Sequence, residues 1–185
     1  MSFLTPGDLK VLRDSLCDDP SYLGKLYVAK SSPYLMRNVD HSLVEDLLKD
    51  GWEEYGKPLK TKTRLRKAKA HDVKFEDDIW CQLYRLGYRH LNIDRNLCIP
   101  FGPDPKQRKQ VDVLAVNNDS VLVVECKSSE KPAKAPSFKT EFEGLPQRLD
   151  GFTKAAEQMF GRGRRLKYVF ATRNLRMARD SADAI

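Results

Sequence analysis

One segment constrains the fold more than any other: four consecutive apolar residues, 121–124, run directly into Glu125-Cys126-Lys127. An unbroken run of Val and Leu predicts a strand that is buried on both faces, as in the centre of an α/β sheet. Because side chains alternate along a strand, Glu125 and Lys127 share one face and Cys126 points to the other. Charged groups at the edge of a core cost free energy unless they are paired or bind an ion. The segment therefore predicts an α/β fold with a polar site at the end of a central strand.

A second predicted strand, residues 110–116, precedes the first and is joined to it by Asn117-Asn118-Asp119. Asn and Asp tolerate left-handed backbone angles and are typical of tight hairpin turns. The hairpin places Asp112 across from Glu125, where two facing carboxylates would repel each other and bind protons more tightly. A divalent cation between them relieves the repulsion, and hard oxygen ligands favour Mg²⁺ or Mn²⁺. We therefore expect a metal site that uses Asp112 and Glu125.

This site suits the hydrolysis of phosphodiester bonds. A divalent cation can activate water and neutralise the charge that develops on a phosphate. Lys127 would orient the nucleophile or stabilise the transition state from the same face as Glu125. Glu76 lies near the start of a predicted helix, residues 73–86, on the side of Leu83, and could add a third carboxylate. The alternative for Glu76 is a first-turn acid that the helix dipole favours. The alternative for Asp112, Glu125 and Lys127 is an interstrand salt bridge.

The same helical spacing places Phe75, Ile79, Leu83 and Leu86 on the inward face of that helix. Residues 96–100 are predicted to form a short strand, followed by a turn rich in Pro, Gly and charge. After the hairpin we expect a long loop over residues 128–144, a helix over 146–160 and a buried strand over 167–172. A further helix is expected from residue 176. The core is thus predicted to run helix, strand, strand, strand, helix, strand, with a mixed central sheet.

Residues 1–70 are predicted to form a helical accessory region that ends in a basic linker, and residues 71–185 the main domain. Thr5 and Pro6 form a helix-start signal, and a second helix over residues 40–49 is stopped by Gly51. The stretch over residues 57–69 is rich in Lys and Arg and lacks apolar periodicity. It is either a solvated linker or an arm that contacts phosphates. The chain could also be the N-terminal part of a longer protein.

The formal net charge of +7 favours a polyanionic partner. The helix over residues 146–160 carries a polar stripe that could contact nucleic acid, although a solvated face is the simpler alternative. Basic residues in two turns could contact backbone phosphates as well. The candidate nucleic-acid-binding residues are Lys154, Gln158, Arg162, Arg164 and Lys109.

Three short motifs resemble the PD-(D/E)XK, or restriction endonuclease-like, nuclease superfamily. They are Phe75-Glu76, Gln110-Val111-Asp112 and Val124-Glu125-Cys126-Lys127. The predicted element order over residues 73–172, about half of the chain, is also similar to the α-β-β-β-α-β core of that superfamily. One departure is Val111, which stands where the motif has proline; this position varies widely among members.

The resemblance implies that Asp112 and Glu125 bind a metal, that Lys127 is the catalytic lysine and that Glu76 is the auxiliary acid on the helix. It also implies that Lys154 or Gln158 lies on a helix that often supplies a further site residue. Known members include restriction, repair and antiphage defence nucleases. We therefore expect a Mg²⁺- or Mn²⁺-dependent DNA endonuclease of restriction, defence or repair that acts on double-stranded DNA; a homodimer would make double-strand cutting simple.

Two alternatives remain open: a non-cleaving nucleic-acid-binding module on the same fold, and an interaction domain of a larger assembly. The chain has four cysteines without a close pair, so neither a structural zinc site nor a disulfide scaffold is expected. No apolar run approaches the length that spans a bilayer, and the N-terminus lacks the features of a secretory signal. These absences predict a soluble, cytoplasmic protein without a membrane partner.

Overall fold

The structure, a computed structural model, describes residues 3–135, 138 and 142–176. Over these residues the chain has a mixed α/β fold with a mixed central sheet. The α-helices are α1 (Pro6–Asp14), α2 (Pro20–Ser31), α3 (Val44–Lys49), α4 (His71–Arg85) and α5 (Leu145–Phe160). A 3₁₀ turn, His41–Leu43, precedes α3. No helix in these residues is long and apolar enough to cross a membrane.

The strands form three sheets, of five, three and two strands. In chain order they are β1 (Leu16–Cys17), β2 (Tyr34–Asp40), β3 (Glu53–Glu54), β4 (Lys62–Ala68), β5 (His90–Asn92), β6 (Cys98–Pro100), β7 (Arg108–Gln110), β8 (Val113–Val116), β9 (Ser120–Lys134) and β10 (Arg165–Arg176). The central sheet has the order β1-β5-β8-β9-β10, in which only β9 and β10 are parallel.

Helices cover both faces of the central sheet, which explains the continuous apolar run in β9. Val121 and Val123 face α1 and α5, where they pack in a cluster that contains Leu12 and Phe152. The alternate residues of β9 face α2 and α4, in a cluster that contains Trp80. The prediction of a central strand buried on both faces is confirmed.

The local signals at several element ends are also confirmed. Thr5 caps α1 through a capping box with Asp8, and Gly51 adopts a positive φ of 79° after α3. Asn117 closes the hairpin between β8 and β9: its backbone N–H donates to Ser120 O over 3.0 Å, and its side-chain oxygen accepts from Asp119 N over 2.9 Å. These interactions join residues that are close together in the chain, so the local sequence is sufficient to predict them.

The N-terminal region differs from the expected helical accessory region with a basic linker. Residues 62–68 of the basic run form β4, which pairs antiparallel with β2 and β3 in the three-stranded sheet. Thr63 and Leu65 are buried in alternation with exposed cations, a strand pattern that the Lys and Arg residues obscured. In addition, Leu4 and Leu12 lie in the same core cluster as Phe152, so the first residues pack within the main domain.

The strand predictions in the main domain need three corrections. Residues 98–100 do form a strand, but it pairs with β7 in the two-stranded sheet, and β5 takes the place beside β8. Part of the predicted loop over residues 128–144 is strand, because β9 continues to Lys134 alongside β10. The strand β10 is only partly buried because it forms the edge of the central sheet. The helix was expected from residue 176, which is instead the last residue of β10; the rest of that prediction, residues 177–185, lies outside the described part.

Candidate active site

The carboxylate of Asp112 lies immediately before β8, in a bend rather than within the strand. The backbone N–H of Cys126 donates to its Oδ2 over 2.6 Å, which ties it to β9 at the level of Glu125. From β5, the buried side chain of Asn92 donates to Asp112 O over 3.1 Å and accepts from Leu114 N over 3.0 Å. Three strands therefore fix the position of Asp112.

Glu125 is 5% exposed and is the last buried residue of β9. Its Oε1 lies 2.7 Å from Lys127 Nζ and 3.2 Å from Lys109 Nζ, so two ammonium groups converge on one carboxylate oxygen. Val113 pairs with Val124, which puts Asp112 and Glu125 at the same end of the β8–β9 hairpin. The predicted juxtaposition of Asp112, Glu125 and Lys127 is confirmed.

Glu76 approaches this end of the sheet from α4. Its Oε2 lies 2.8 Å from Arg95 Nε, but the two groups are not aligned as a hydrogen bond and both atoms are buried. The other end of the Arg95 guanidinium lies 2.9 Å from Asp77 Oδ1. Glu76 thus has an ionic neighbour but retains a carboxylate oxygen without an aligned donor.

The electrostatics link Glu76 to the strand residues. Burial, and next the negative charge of Asp112, raise the pKa of Glu76 to about 7, against the lowering effect of Arg95. Burial also raises the pKa of Asp112, and Glu125 adds to this, while the hydrogen bond from Cys126 N opposes it. The negative charge of Asp112 therefore disfavours ionisation of Glu76, and that of Glu125 disfavours ionisation of Asp112, as expected for acids that a cation would stabilise.

Cys126 lies between these acids but is unsuited to act as a nucleophile. Burial, followed by the charges of Asp112, Glu76 and Glu125, raises the pKa of its thiol to about 12. The thiolate, not the thiol, is the nucleophilic form. What Cys126 supplies to the site is its backbone N–H, which holds Asp112.

The donor set fits a hard divalent cation in its chemistry, because it consists of carboxylate oxygens and includes the buried Oε2 of Glu76 without an aligned donor. Within the described residues, however, no three His, Cys, Asp or Glu side chains are gathered tightly enough to form a ready-made metal cluster. Protein groups contact each acid instead: Cys126 N at Asp112, two lysines at Glu125 and Arg95 at Glu76. The metal set of Asp112, Glu125 and Glu76 stays a prediction.

The other candidate residues lie at different distances from these acids. Lys109 contacts Glu125 and is part of the site. Arg164 donates to Asn117 O over 2.8 Å at the hairpin turn, five strand residues and therefore about 17 Å from Glu125. Arg162 is exposed near the same turn, at the start of β10. The structure does not bring these two arginines to the carboxylates, because the turn and the site occupy opposite ends of β8 and β9.

The other two candidates lie on α5. Lys154 is exposed and pairs with Asp150 over 2.5 Å within the same helix. Gln158 follows one turn later and is half-buried. Their assignment to nucleic-acid binding stays a prediction.

Sequence analysis missed Asn92 and Arg95, which position the site from outside the motifs. Asn92 joins β5 to Asp112, and Arg95 contacts both Glu76 and Asp77. The alternation of Leu91 and Ile93 with polar residues was the available signal for β5, but three residues of strand are too few for a periodicity to be distinct. The residues next to Arg95 in the sequence do not indicate its role, because its partners lie on α4.

The four cysteines are unpaired in the structure. Comparison of the chain with protein-family models, curated proteins and solved structures gives no match.

Proposed function

We propose that the chain is a divalent-metal-dependent nuclease that hydrolyses phosphodiester bonds, with double-stranded DNA as its substrate. One observation carries the proposal: Asp112 and the Glu125–Lys127 pair meet at one end of the β8–β9 hairpin. There Cys126 N holds Asp112 over 2.6 Å and Lys127 Nζ lies 2.7 Å from Glu125 Oε1. Acids that can hold a metal ion, with a lysine beside them, are groups that can promote phosphodiester hydrolysis.

The proposal includes the restriction endonuclease-like fold. The order α4, β5, β8, β9, α5, β10 agrees with an α-β-β-β-α-β core once β5 is counted as the first strand. The mixed sheet, with its single parallel pair β9 and β10, is compatible with that core. Because the motif residues lie on α4, immediately before β8 and on β9, in the expected order along the chain, fold and motif support each other.

Each residue has a distinct role in the proposed reaction. Asp112 and Glu125, joined by Glu76, would hold the cation, which activates water and neutralises charge on the phosphate. Lys127 donates toward the attacking oxygen or a non-bridging phosphate oxygen and stabilises the added negative charge. Lys109 is placed to contact the same phosphate from β7. Asn92 and Cys126 N keep Asp112 in position without touching the substrate.

The test is cleavage of supercoiled plasmid by the purified chain with Mg²⁺ or Mn²⁺, beside a Lys127→Ala variant. We expect metal-dependent nicking or linearisation, reduced by about 10²- to 10³-fold in the variant because an electrostatic donor to the transition state is lost. Lys131→Ala is the matched control, since Lys131 is an exposed lysine further along β9. Equal cleavage by wild type and Lys127→Ala would contradict the site, and no cleavage with either metal would favour a non-cleaving binding module.

A further inference from the structure

The three-stranded sheet carries a cluster of exposed cations that the proposed catalytic site does not use. Lys62 and Arg64 alternate with the buried Thr63 and Leu65 along β4, so both cations lie on the outward face. The turn before β4, in which Leu59 N donates to Lys62 O over 2.8 Å, adds further exposed lysines. We define the basic hairpin by its exposed cations Lys57, Lys60, Lys62 and Arg64.

The basic hairpin keeps a net positive charge despite three acids on the same sheet, one of which is the exposed Glu54 of β3. Glu53 pairs with Arg66 over 3.2 Å, and Asp40 lies across from Lys62 in the strand register. Between residues 55 and 71 there is no acidic residue at all. The tip of the hairpin therefore presents only positive charge to solvent.

Two tyrosines on this face contact Arg66, although Tyr55 remains 45% exposed. The Arg66 guanidinium lies 4.7 Å from the ring centroid of Tyr34 and 5.3 Å from that of Tyr55. A platform for single-stranded nucleic acid needs open ring faces on which bases can stack. Here an arginine contacts the rings, so the face favours contacts to backbone phosphates, and a duplex presents two such backbones.

Buried ion pairs connect this sheet to the catalytic helix. Directly after β4, Lys69 Nζ lies 2.8 Å from Asp77 Oδ2 on α4, and both side chains are 3% exposed. Arg95 contacts Asp77 and also lies 2.8 Å from Glu76. The path from the basic hairpin to Glu76 thus runs through short ionic contacts, the first of which, Lys69–Asp77, is buried, and these contacts fix the sheet relative to the site.

We propose that the basic hairpin is a docking surface for the phosphate backbone of double-stranded DNA, and that it holds the duplex in a set position relative to Glu76 and Asp112. This inference rests on the proposed function for the identity of the substrate. It adds a second contact region, on a sheet outside the six-element core, that positions the DNA without sequence readout.

The test measures binding alone, with a short fluorescein-labelled duplex and the full chain carrying Lys127→Ala, in the absence of metal so that no cleavage occurs. Anisotropy titrations between about 50 and 200 mM salt give the dependence of affinity on salt. The test variant adds Lys60→Ala, Lys62→Ala and Arg64→Ala. The control variant instead adds Lys10→Ala, Arg13→Ala and Lys25→Ala, three exposed cations of α1 and α2.

We expect the slope of log affinity against log salt to become shallower by about 2 to 3 in the test variant, since each lost phosphate contact contributes about 0.9. The control variant should keep the slope of the parent. A charge-conserving variant with Lys60→Arg, Lys62→Arg and Arg64→Lys should also keep it, whereas equal loss in that variant would mean that the sheet itself was disturbed and would overturn the inference.

Three other results would overturn it: an unchanged slope in the test variant, no salt-dependent binding of the parent to duplex, or tighter binding of a single strand of the same length. Because binding is measured without turnover, these outcomes are separate from the nuclease test. A wild-type chain that cuts plasmid while the test variant retains its slope would refute the basic hairpin alone. A chain that binds through the hairpin but cuts nothing would refute the catalytic proposal alone.

Discussion

Asp112→Asn is expected to reduce metal-dependent cleavage by at least about 10³-fold while leaving the fold intact. Asparagine has nearly the same shape, and its side-chain oxygen can still accept the hydrogen bond from Cys126 N that holds the residue over 2.6 Å. What it lacks is the negative charge that makes a carboxylate a strong ligand of a divalent cation. The substitution should therefore reduce the rate of cleavage without disturbing the fold.

The measurement is the initial rate of plasmid nicking in Mg²⁺ and in Mn²⁺, together with the thermal midpoint of each protein. Asp150→Asn is the matched control, because Asp150 is an exposed acid on α5 that pairs only with Lys154 among its described contacts. We expect that control to cut like wild type. An Asp112→Asn protein that melts normally and keeps more than about a tenth of the rate would remove Asp112 from the catalytic set.

Asp77→Ala is expected to lower the free energy of unfolding by about 3–5 kcal/mol, the largest effect on stability that we predict. The Asp77 carboxylate is 2% exposed and contacts Lys30, Lys69 and Arg95 at distances of 3.2, 2.8 and 2.9 Å. Lys69 is itself 3% exposed in its side chain, so removal of Asp77 leaves a buried cation without its carboxylate. Carbonyl oxygens of Ala29 and Lys30 remain as acceptors but carry no net charge.

Urea denaturation of Asp77→Ala and Asp78→Ala compares two neighbouring acids in different environments. The side chain of Asp78 is 33% exposed, and its ion pairs with Lys74 and Arg173 are partly solvated. Its loss should cost about 1 kcal/mol or less. If Asp77→Ala costs no more than Asp78→Ala, the buried ion cluster does not hold α2, β4 and α4 together as described.

The sequence was sufficient where the determining interactions are local. The apolar run before Glu125 and the Asn-Asn-Asp turn are contiguous signals, and together they correctly predict that Asp112 lies near Glu125. The helical spacing of apolar residues in α4 correctly predicts that Phe75 and Leu83 are buried. The same prediction is wrong for Leu86, which is 68% exposed. Leu86 lies one residue past the end of α4, where the helical period no longer sets the direction of its side chain.

Ion pairs between residues that are far apart in the chain could not be predicted from the sequence. Lys69 belongs to a run of cations without apolar periodicity, and nothing near Asp77 in the sequence indicates which cations it contacts. The structure places both in one buried cluster because β4 runs antiparallel to β2 and returns the chain to α4. The same limit applies to Arg95, whose role depends on two acids of α4 rather than on its own neighbours in the chain.

The central claim, that Asp112, Glu125 and Glu76 hold a divalent cation, is tested most directly by calorimetric titration of Mn²⁺ into wild type and Asp112→Asn across pH 6 to 8. The raised pKa of Glu76, about 7, means that below this value a proton occupies the carboxylate and competes with the metal. Mn²⁺ affinity should therefore rise with pH through about 7 and level off above it, with proton release on binding below that pH. Asp112→Asn should bind Mn²⁺ at least tenfold more weakly. Equal Mn²⁺ binding by the two proteins, or no binding by wild type at pH 8, would contradict the account.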